Sequence, residues 1–276
     1  MSENKNNLPV KNNLPLALEN DKVKARLVEL LGNNAPAFIS TLLAIWNGNE
    51  KLQDCDTKSI LGAAGLAATL NLLIAPSLGH AYIVPYRGRA TFQIGWKGIL
   101  QLAHRTGKYS KLNTGIVHEG EIRGTDVITG DLITGEKISD NVVGYVAYMR
   151  LVNGFEKALY MTIEEIQAHA EKYSQSYAYD LKSGKKSSVW STNFDAMAKK
   201  TVLKMLINRW GILASSDMAI ALQADQAVVS KNYLNYVDND GRTVPRDDYS
   251  QLDEPPEVEM IDPETEEILE GESNVG

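Results

Sequence analysis

GHAYIVPYRGRATFQIGWKGILQLAHRTGKYSK, residues Gly79 to Lys111, alternates, turns, alternates again and then changes period. Tyr82, Val84 and Tyr86 alternate with Ile83 and Pro85 before Arg87-Gly88-Arg89. Ala90, Phe92 and Ile94 then alternate with Thr91 and Gln93, which predicts two strands joined in a hairpin. From Gly95-Trp96-Lys97-Gly98 the spacing becomes helical. At roughly 100° per residue, Lys97, Gln101, His104, Arg105 and Lys108 share one arc, while Ile99, Leu100, Leu102 and Ala103 lie opposite. Gly107 stands where a left-handed C-terminal cap belongs. The stretch predicts a hairpin feeding a helix with one apolar face and one face suited to an anion.

Carboxylates vanish around it. Between Thr57 and His118 there is no Asp or Glu, yet the span holds Lys58, Arg87, Arg89, Lys97, Arg105, Lys108 and Lys111. Such a gap fits a surface whose partner is negative; a solvated basic face beside an apolar stretch is the plainer alternative. Tyr82, Tyr86, Phe92, Trp96 and Tyr109 interleave the cations and would offer stacking platforms to unpaired bases. The whole chain carries a net charge of −7, but ten acids and no bases follow from Asp253, so the remainder stands at +3. A mildly basic body therefore precedes a strongly acidic tail.

Outward from the hairpin, three domain-level zones are expected. Residues 1–18 read as a disordered polar arm, 19–237 as the binding domain, and 238–276 as an acidic, disordered tail. Helices are predicted from Asp21 to the Gly32-Asn33-Asn34 stop, from Pro36 to Gly48, and after Asp56-Thr57 through an Ala- and Gly-rich run. Strands follow at Leu112 to Val117, Val142 to Val152 and, beyond the Asn153-Gly154 turn, Glu156 to Thr162. Thr162 and Glu165 form a capping box for a helix to Tyr173. Residues 173–191 read as a long polar loop, 193–210 as a long helix and 216–230 as another. The fold class is α+β: one central antiparallel sheet of hairpins, packed with long helices that form a basic DNA-binding groove.

The long helix, within WSTNFDAMAKKTVLKMLINRW (Trp190 to Trp210), is a second basic constellation. Lys200, Lys204 and Asn208 share a face at i, i+4 and i+8, with Val202, Leu203 and Leu206 towards the other side. Lys199 falls among the apolar residues, either with its stem buried at the core edge or aimed at a ligand.

Taken together, the two segments resemble the RecT family of phage and prophage single-strand annealing proteins. The resemblance rests on Tyr82, Pro85, Gly95, Trp96, Lys97, Gly98, Arg105 and Gly107, followed by Trp190, Met197, Lys200 and Thr201. Trp96 stands where tyrosine is commoner in the family. Over residues 25–225 it implies a protein that coats single strands and anneals complementary ones without nucleotide hydrolysis. It also implies assembly as rings or helical filaments, and a recombination setting with a phage exonuclease as partner. No residue role is carried onto the arm or the tail.

The residues expected to hold the DNA backbone are Arg87, Arg89, Lys97, Arg105, Lys108, Lys111, Lys199, Lys200 and Lys204, helped by Gln101 and His104. Trp96, Tyr109, Trp190 and Phe194 are either stacking contacts or core. The expected partners are single-stranded DNA, the nascent annealed duplex and further copies of the chain.

Enzymatic readings fare worse. Ser183-Gly184-Lys185-Lys186-Ser187 lacks the earlier glycine of a nucleotide-binding loop. His118, Glu119, Glu121, Asp126, Asp131 and Glu136 carry the chemistry of a metal nuclease, but they lie in a Gly- and Thr-rich turn region that reads as solvated hairpin loops. The lone Cys55 excludes an intramolecular disulfide, a cysteine-based metal site and zinc deaminase chemistry. No cofactor, metal or catalytic residue is expected. No apolar run approaching the ~18 residues of a membrane span is evident, so a cytoplasmic protein that does not engage a membrane is expected. An inert strand-coating protein is the remaining alternative.

Overall fold

Four Asx side chains punctuate the N-terminal third. Asn13, Asn20, Asn49 and Asp56 each accept a backbone N–H at the start of a helix. These helices are α1 (Leu14–Glu19), α2 (Asp21–Leu31), α4 (Glu50–Gln53) and α5 (Thr57–Thr69); α3 (Ala35–Asn47) follows α2 through a single 3-10 turn. The computed structural model describes residues 13–212, 216–225, 227–230 and 233–236. The start of the expected arm and the expected tail lie outside them. Helix α1 corrects the arm's other end: Leu14 and Leu18, four apart, are buried in the core, so these residues are ordered.

A second correction concerns Asp21–Asn47, which by length and composition alone is long and apolar enough to cross a membrane. Gly32–Asn34 interrupts it with polar side chains, and Leu27, Ala35, Phe38 and Leu42 are buried against the rest of the protein. Helices α2 and α3 each pack part of their surface in this way.

The hairpin is as expected: β1 (Ala81–Tyr86) pairs antiparallel with β2 (Arg89–Ile94), Ala81 opposite Ile94 and Tyr86 opposite Arg89. Arg87 and Gly88 both take positive φ, 46° and 76°, the two-residue geometry that matches strand twist. β1 lies at the sheet edge, where Pro85 removes no interior ladder bond. Beneath the hairpin lies α5, whose buried Ala63, Ala64, Ala67 and Ala68 permit close approach. The Ser59 hydroxyl accepts from the Ala90 N–H at 2.8 Å, and the Asp56 N–H donates to the Gly88 carbonyl at 2.9 Å.

Helix α6 (Trp96–Arg105) follows directly, and its two glycines have a geometric cause. A Cβ at Gly95 would lie 2.1 Å from the Gly79 carbonyl oxygen, and one at Gly98 2.1 Å from that of His80. The helix start is thus pressed onto the backbone that leads into β1.

Next come β3 (Tyr109–His118), β4 (Ile122–Thr125), β5 (Leu132–Thr134), β6 (Val142–Leu151) and β7 (Glu156–Thr162). The fold is α+β, but among the described residues the single central sheet is corrected to three: β3-β6-β7, the small hairpin β4-β5, and a four-stranded sheet begun by β1-β2. Thr162 and Glu165 make the reciprocal capping box at the start of α7 (Ile163–Tyr173).

The polar loop expected over 173–191 is instead α8 (Gln175–Ser183) and α9 (Val189–Thr192). Buried Asp180 organises them, accepting from the N–H groups of Ser187 and Ser188 and from the hydroxyls of Ser187 and Ser191 at 2.7–2.9 Å. Burial alone would raise this carboxyl; the Ser188 N–H and the serine hydroxyls outweigh it and hold the group well below the usual carboxylate range. The serines that read as loop composition are hydrogen-bond donors to one acid.

Helix α10 (Phe194–Trp210) packs on β3, β6 and β7 and touches α6. The expected helix 216–230 is shorter: α11 (Ser216–Ala224) ends near Asp225, and β8 (Ala227–Ser230) joins β2 through Phe92–Ala227 before pairing with β9 (Tyr233–Tyr236).

Candidate nucleic-acid interface

The α6 phase is as the sequence dictates. Gly98, Ile99, Leu102 and Ala103 are buried, while Lys97, Gln101, His104 and Arg105 are exposed. Gly107 takes φ 64° just beyond the helix. His80 reports the field of this face: partial burial first, then the charges of Lys97 and Arg105, lower its imidazole below the ordinary histidine value. Arg105 is partly committed, since its guanidinium donates at 2.6 Å to the carbonyls of Leu70 and Asn71 at the end of α5. Two of its five donors therefore act as a helix C-cap.

Helices α6 and α10 meet at Trp96. The Lys97 ammonium lies 5.8 Å from the indole centroid and that of Lys199 5.9 Å, so the half-buried ring is flanked by cations from both helices. Lys199, ambiguous in sequence, is placed beside an aromatic ring and is partly buried. Arg87 and Arg89 stand exposed at the tip of β1–β2, with Arg87 over the Tyr86 ring and 3.4 Å from the Gln175 amide oxygen. Lys108 and Lys111 are exposed beyond α6, the latter on β3 opposite Arg150.

Four expected contacts lie elsewhere. Lys200 is only 6% exposed, and its ammonium donates at 2.7 Å to Asp225, which also accepts from Lys204 at 2.9 Å and from the Ile94 N–H at 3.2 Å. Burial lowers the Lys200 ammonium and would raise the Asp225 carboxyl, but the two lysine charges hold that carboxyl below its ordinary value. Lys200 is thus a structural ion-pair member, and Lys204 shares its acid while keeping a partly exposed stem. The expected polar face of α10 is wrong because Ala198, Lys200, Thr201, Val202, Leu203, Leu206 and Ile207 bury most of the helix circumference.

Tyr109 and Trp190 take the core alternative. Tyr109 is buried and donates its hydroxyl to the Ile212 carbonyl. Trp190 is buried between Tyr177 and Phe194, and half-buried Phe194 continues to Tyr145, whose hydroxyl donates to Asp195 at 2.5 Å. Trp96 remains the aromatic residue of the expected set that is placed among cations.

Three basic positions escaped the sequence reading. Arg150 neighbours Lys111 but is paired with Glu156 at 2.6 Å. Lys185 and Lys186 lie exposed beside α8, the former 5.9 Å from the Tyr179 ring; the Lys-Ser-rich composition of 182–187 was their signal. Three of the acids weighed for a nuclease act locally as acceptors: Glu121 from the His118 N–H, Glu119 from Ser139, and Asp126 from Ile128 and Thr129.

Comparison with known proteins matches the same span. A model of the RecT family matches residues 36–236. The uncharacterized protein YqaK of Bacillus subtilis (strain 168) is 38% identical over 224 residues, covering 80% of this chain and 75% of that protein. Protein RecT of Escherichia coli (strain K12) is 26% identical over 208 residues, covering 68% of this chain and 74% of that protein. The hairpin, α6 and α10 all fall inside the matched residues, and on the extent of that match the chain belongs to the RecT family.

Proposed function

We propose that this chain binds single-stranded DNA on the exposed basic faces of β1–β2, α6 and the Lys199 turn of α10, and anneals complementary strands in recombination without nucleotide hydrolysis. Membership of the RecT family supports strand annealing as the activity. The observation that carries the siting is the Trp96 ring 5.8 Å from the Lys97 ammonium and 5.9 Å from that of Lys199, with Trp96 and Lys97 inside a stretch free of carboxylates from Thr57 to His118.

Annealing requires a strand held by its sugar-phosphate with base edges free for a second strand. Arg87, Arg89, Lys97, Lys108, Lys111 and Lys199 hold phosphates, a contact blind to sequence. Gln101 and His104 add hydrogen bonds, and the unused donors of Arg105 add another. Trp96 supplies a ring against which a base or sugar rests. Lys200 and Lys204, through Asp225, fix α10 to the end of β2 and so set the spacing of the two faces.

The nascent duplex is the product held, and many copies of the chain acting as a ring or helical filament hold enough of it to be stable. The protein is not an enzyme in this scheme, works in the cytoplasm, and is paired with a phage exonuclease that exposes the strand. Mixing complementary oligonucleotides with the protein in chelator and without nucleotide tests the reading. Accelerated duplex formation is expected; cleavage that chelator abolishes, or strands coated but slowed in pairing, would replace it.

A further inference from the structure

The β4–β5 hairpin ends in an apolar point. Val127 and Ile128 are each 96% exposed, and Ile133 and Ile138 of the same region are exposed at 52% and 77%. The point is built rather than loose. Asp126 accepts from the N–H groups of Ile128 and Thr129, both at 2.8 Å, and the Lys157 ammonium holds the Thr129 carbonyl. Ordered apolar side chains held out in water mark a contact surface.

Its charge indicates what the contact is. From Glu119 to Asp140 there are six acids against Arg123 and Lys137, a surface that repels a polyanion. An open concavity of opposite charge lies on another part of the fold: a shallow cleft of about 380 Å³ lined by Tyr177, Leu181, Lys185, Lys186, Trp190 and Phe194. Leu181 is more than half exposed, and Lys185 and Lys186 make the lining basic. The carboxylate of Asp180, bonded to three serines, is directed into the fold. The chain's own tip does not fill this cleft, since Val127 and Ile128 are open to solvent.

We infer that the Val127–Ile128 tip of one copy seats in the Tyr177–Phe194 cleft of the next. The two surfaces differ, so the contact is head-to-tail and a pair of copies keeps one free tip and one free cleft. Repetition then gives a ring or a helix rather than a closed dimer. The inference rests on the self-assembly in the proposed function and names the surfaces that produce it.

The test uses the full chain in two variants, Val127→Asp/Ile128→Asp at the tip and Lys185→Glu/Lys186→Glu at the cleft; all four side chains are exposed, so folding is spared. By sedimentation velocity with and without DNA, each variant alone needs at least about tenfold more protein to form large assemblies. Mixed in equal amounts, they form a 1:1 dimer that does not grow, because one intact tip meets one intact cleft. Fluorescence anisotropy with an oligonucleotide long enough for one subunit stays unchanged in the tip variant.

A tip variant that assembles like wild type overturns the inference, as does a mixture that yields no dimer, or a wild type that never assembles. Lost oligonucleotide binding in the tip variant would make the tip a DNA contact and overturn it too. A wild type that assembles through these surfaces yet neither binds nor anneals DNA would sink the proposed function and leave the contact standing.

Discussion

Helices α6 and α10 each carry lysine among apolar residues, and the structure treats them differently. In α6, Lys97 lies on an exposed arc and reaches the Trp96 ring. In α10, Lys200 is buried on Asp225 while Lys199, one residue earlier, reaches the same ring from the neighbouring helix. A helix that packs on one side writes its orientation into its sequence. A helix packed against β3, β6, β7 and α6 does not, because its buried positions lie around most of its circumference. Where lysine occurs in such a helix, its partner decides its role, and Asp225 lies twenty-five residues away from Lys200.

The sharpest way to break this contrast is to remove the partner. Asp225→Ala leaves two ammonium groups at a buried site and is expected to cost about 3–5 kcal/mol, read as a fall in the denaturant midpoint. The carboxyl is depressed in the fold, so its contribution is complete above the ordinary carboxylate range near ~4 and is lost as pH falls through the lower folded value. The variant should therefore lose less stability on acidification than wild type. A midpoint shift near zero would mean that Lys200 is solvated.

On the α6 side, the backbone contact is the vulnerable feature. Gly98→Ala drives a methyl into the His80 carbonyl, and a loss of about 1–3 kcal/mol is expected. Thermal melts at matched concentration measure it, and an unchanged melting temperature would contradict the close approach.

Smaller in energy but closer to function is the lysine series. Lys97→Ala and Lys199→Ala should each leave stability unchanged and flatten the salt dependence of single-strand binding, by about 0.7 in log–log slope per lost contact. Lys200→Met should leave the slope as it is. A slope that responds to Lys200 and not to Lys97 would reverse the comparison. The smallest effect concerns His80, which partial burial, Lys97 and Arg105 keep neutral in the free protein. Bound phosphate offsets the two cations and raises its value, so binding takes up a proton and affinity rises as pH falls through the range near ~6.5. His80→Gln should flatten that profile, and an equally steep profile in the variant would assign it to another group.

Much of this molecule was legible in the chain. The hairpin with its Arg87-Gly88 turn, the phase of α6, the Asn153-Gly154 turn between β6 and β7, and the Thr162–Glu165 capping box are local features, fixed by residues within a few positions of each other. Illegible parts depend on distant partners. Residues 173–191 read as loop because the serines are donors to Asp180 rather than coil formers. Strand β8 read as helix because its pairing partner, β2, precedes it by more than a hundred residues. Of the residues expected to meet DNA, those on α6 and the hairpin tip are exposed as expected. Tyr109 and Trp190, which sequence left divided between stacking and core, are core because β3 and α9 carry them beneath neighbouring elements.

Annealing itself tests the central claim most directly. Complementary fluorescent oligonucleotides are mixed with wild type and with the Lys97→Ala/Lys199→Ala double variant, in chelator and without nucleotide, at equal and verified folding. Wild type should speed duplex formation and the double variant should approach the spontaneous rate. Wild type that requires ATP, or a double variant that anneals as fast as wild type, would contradict the account.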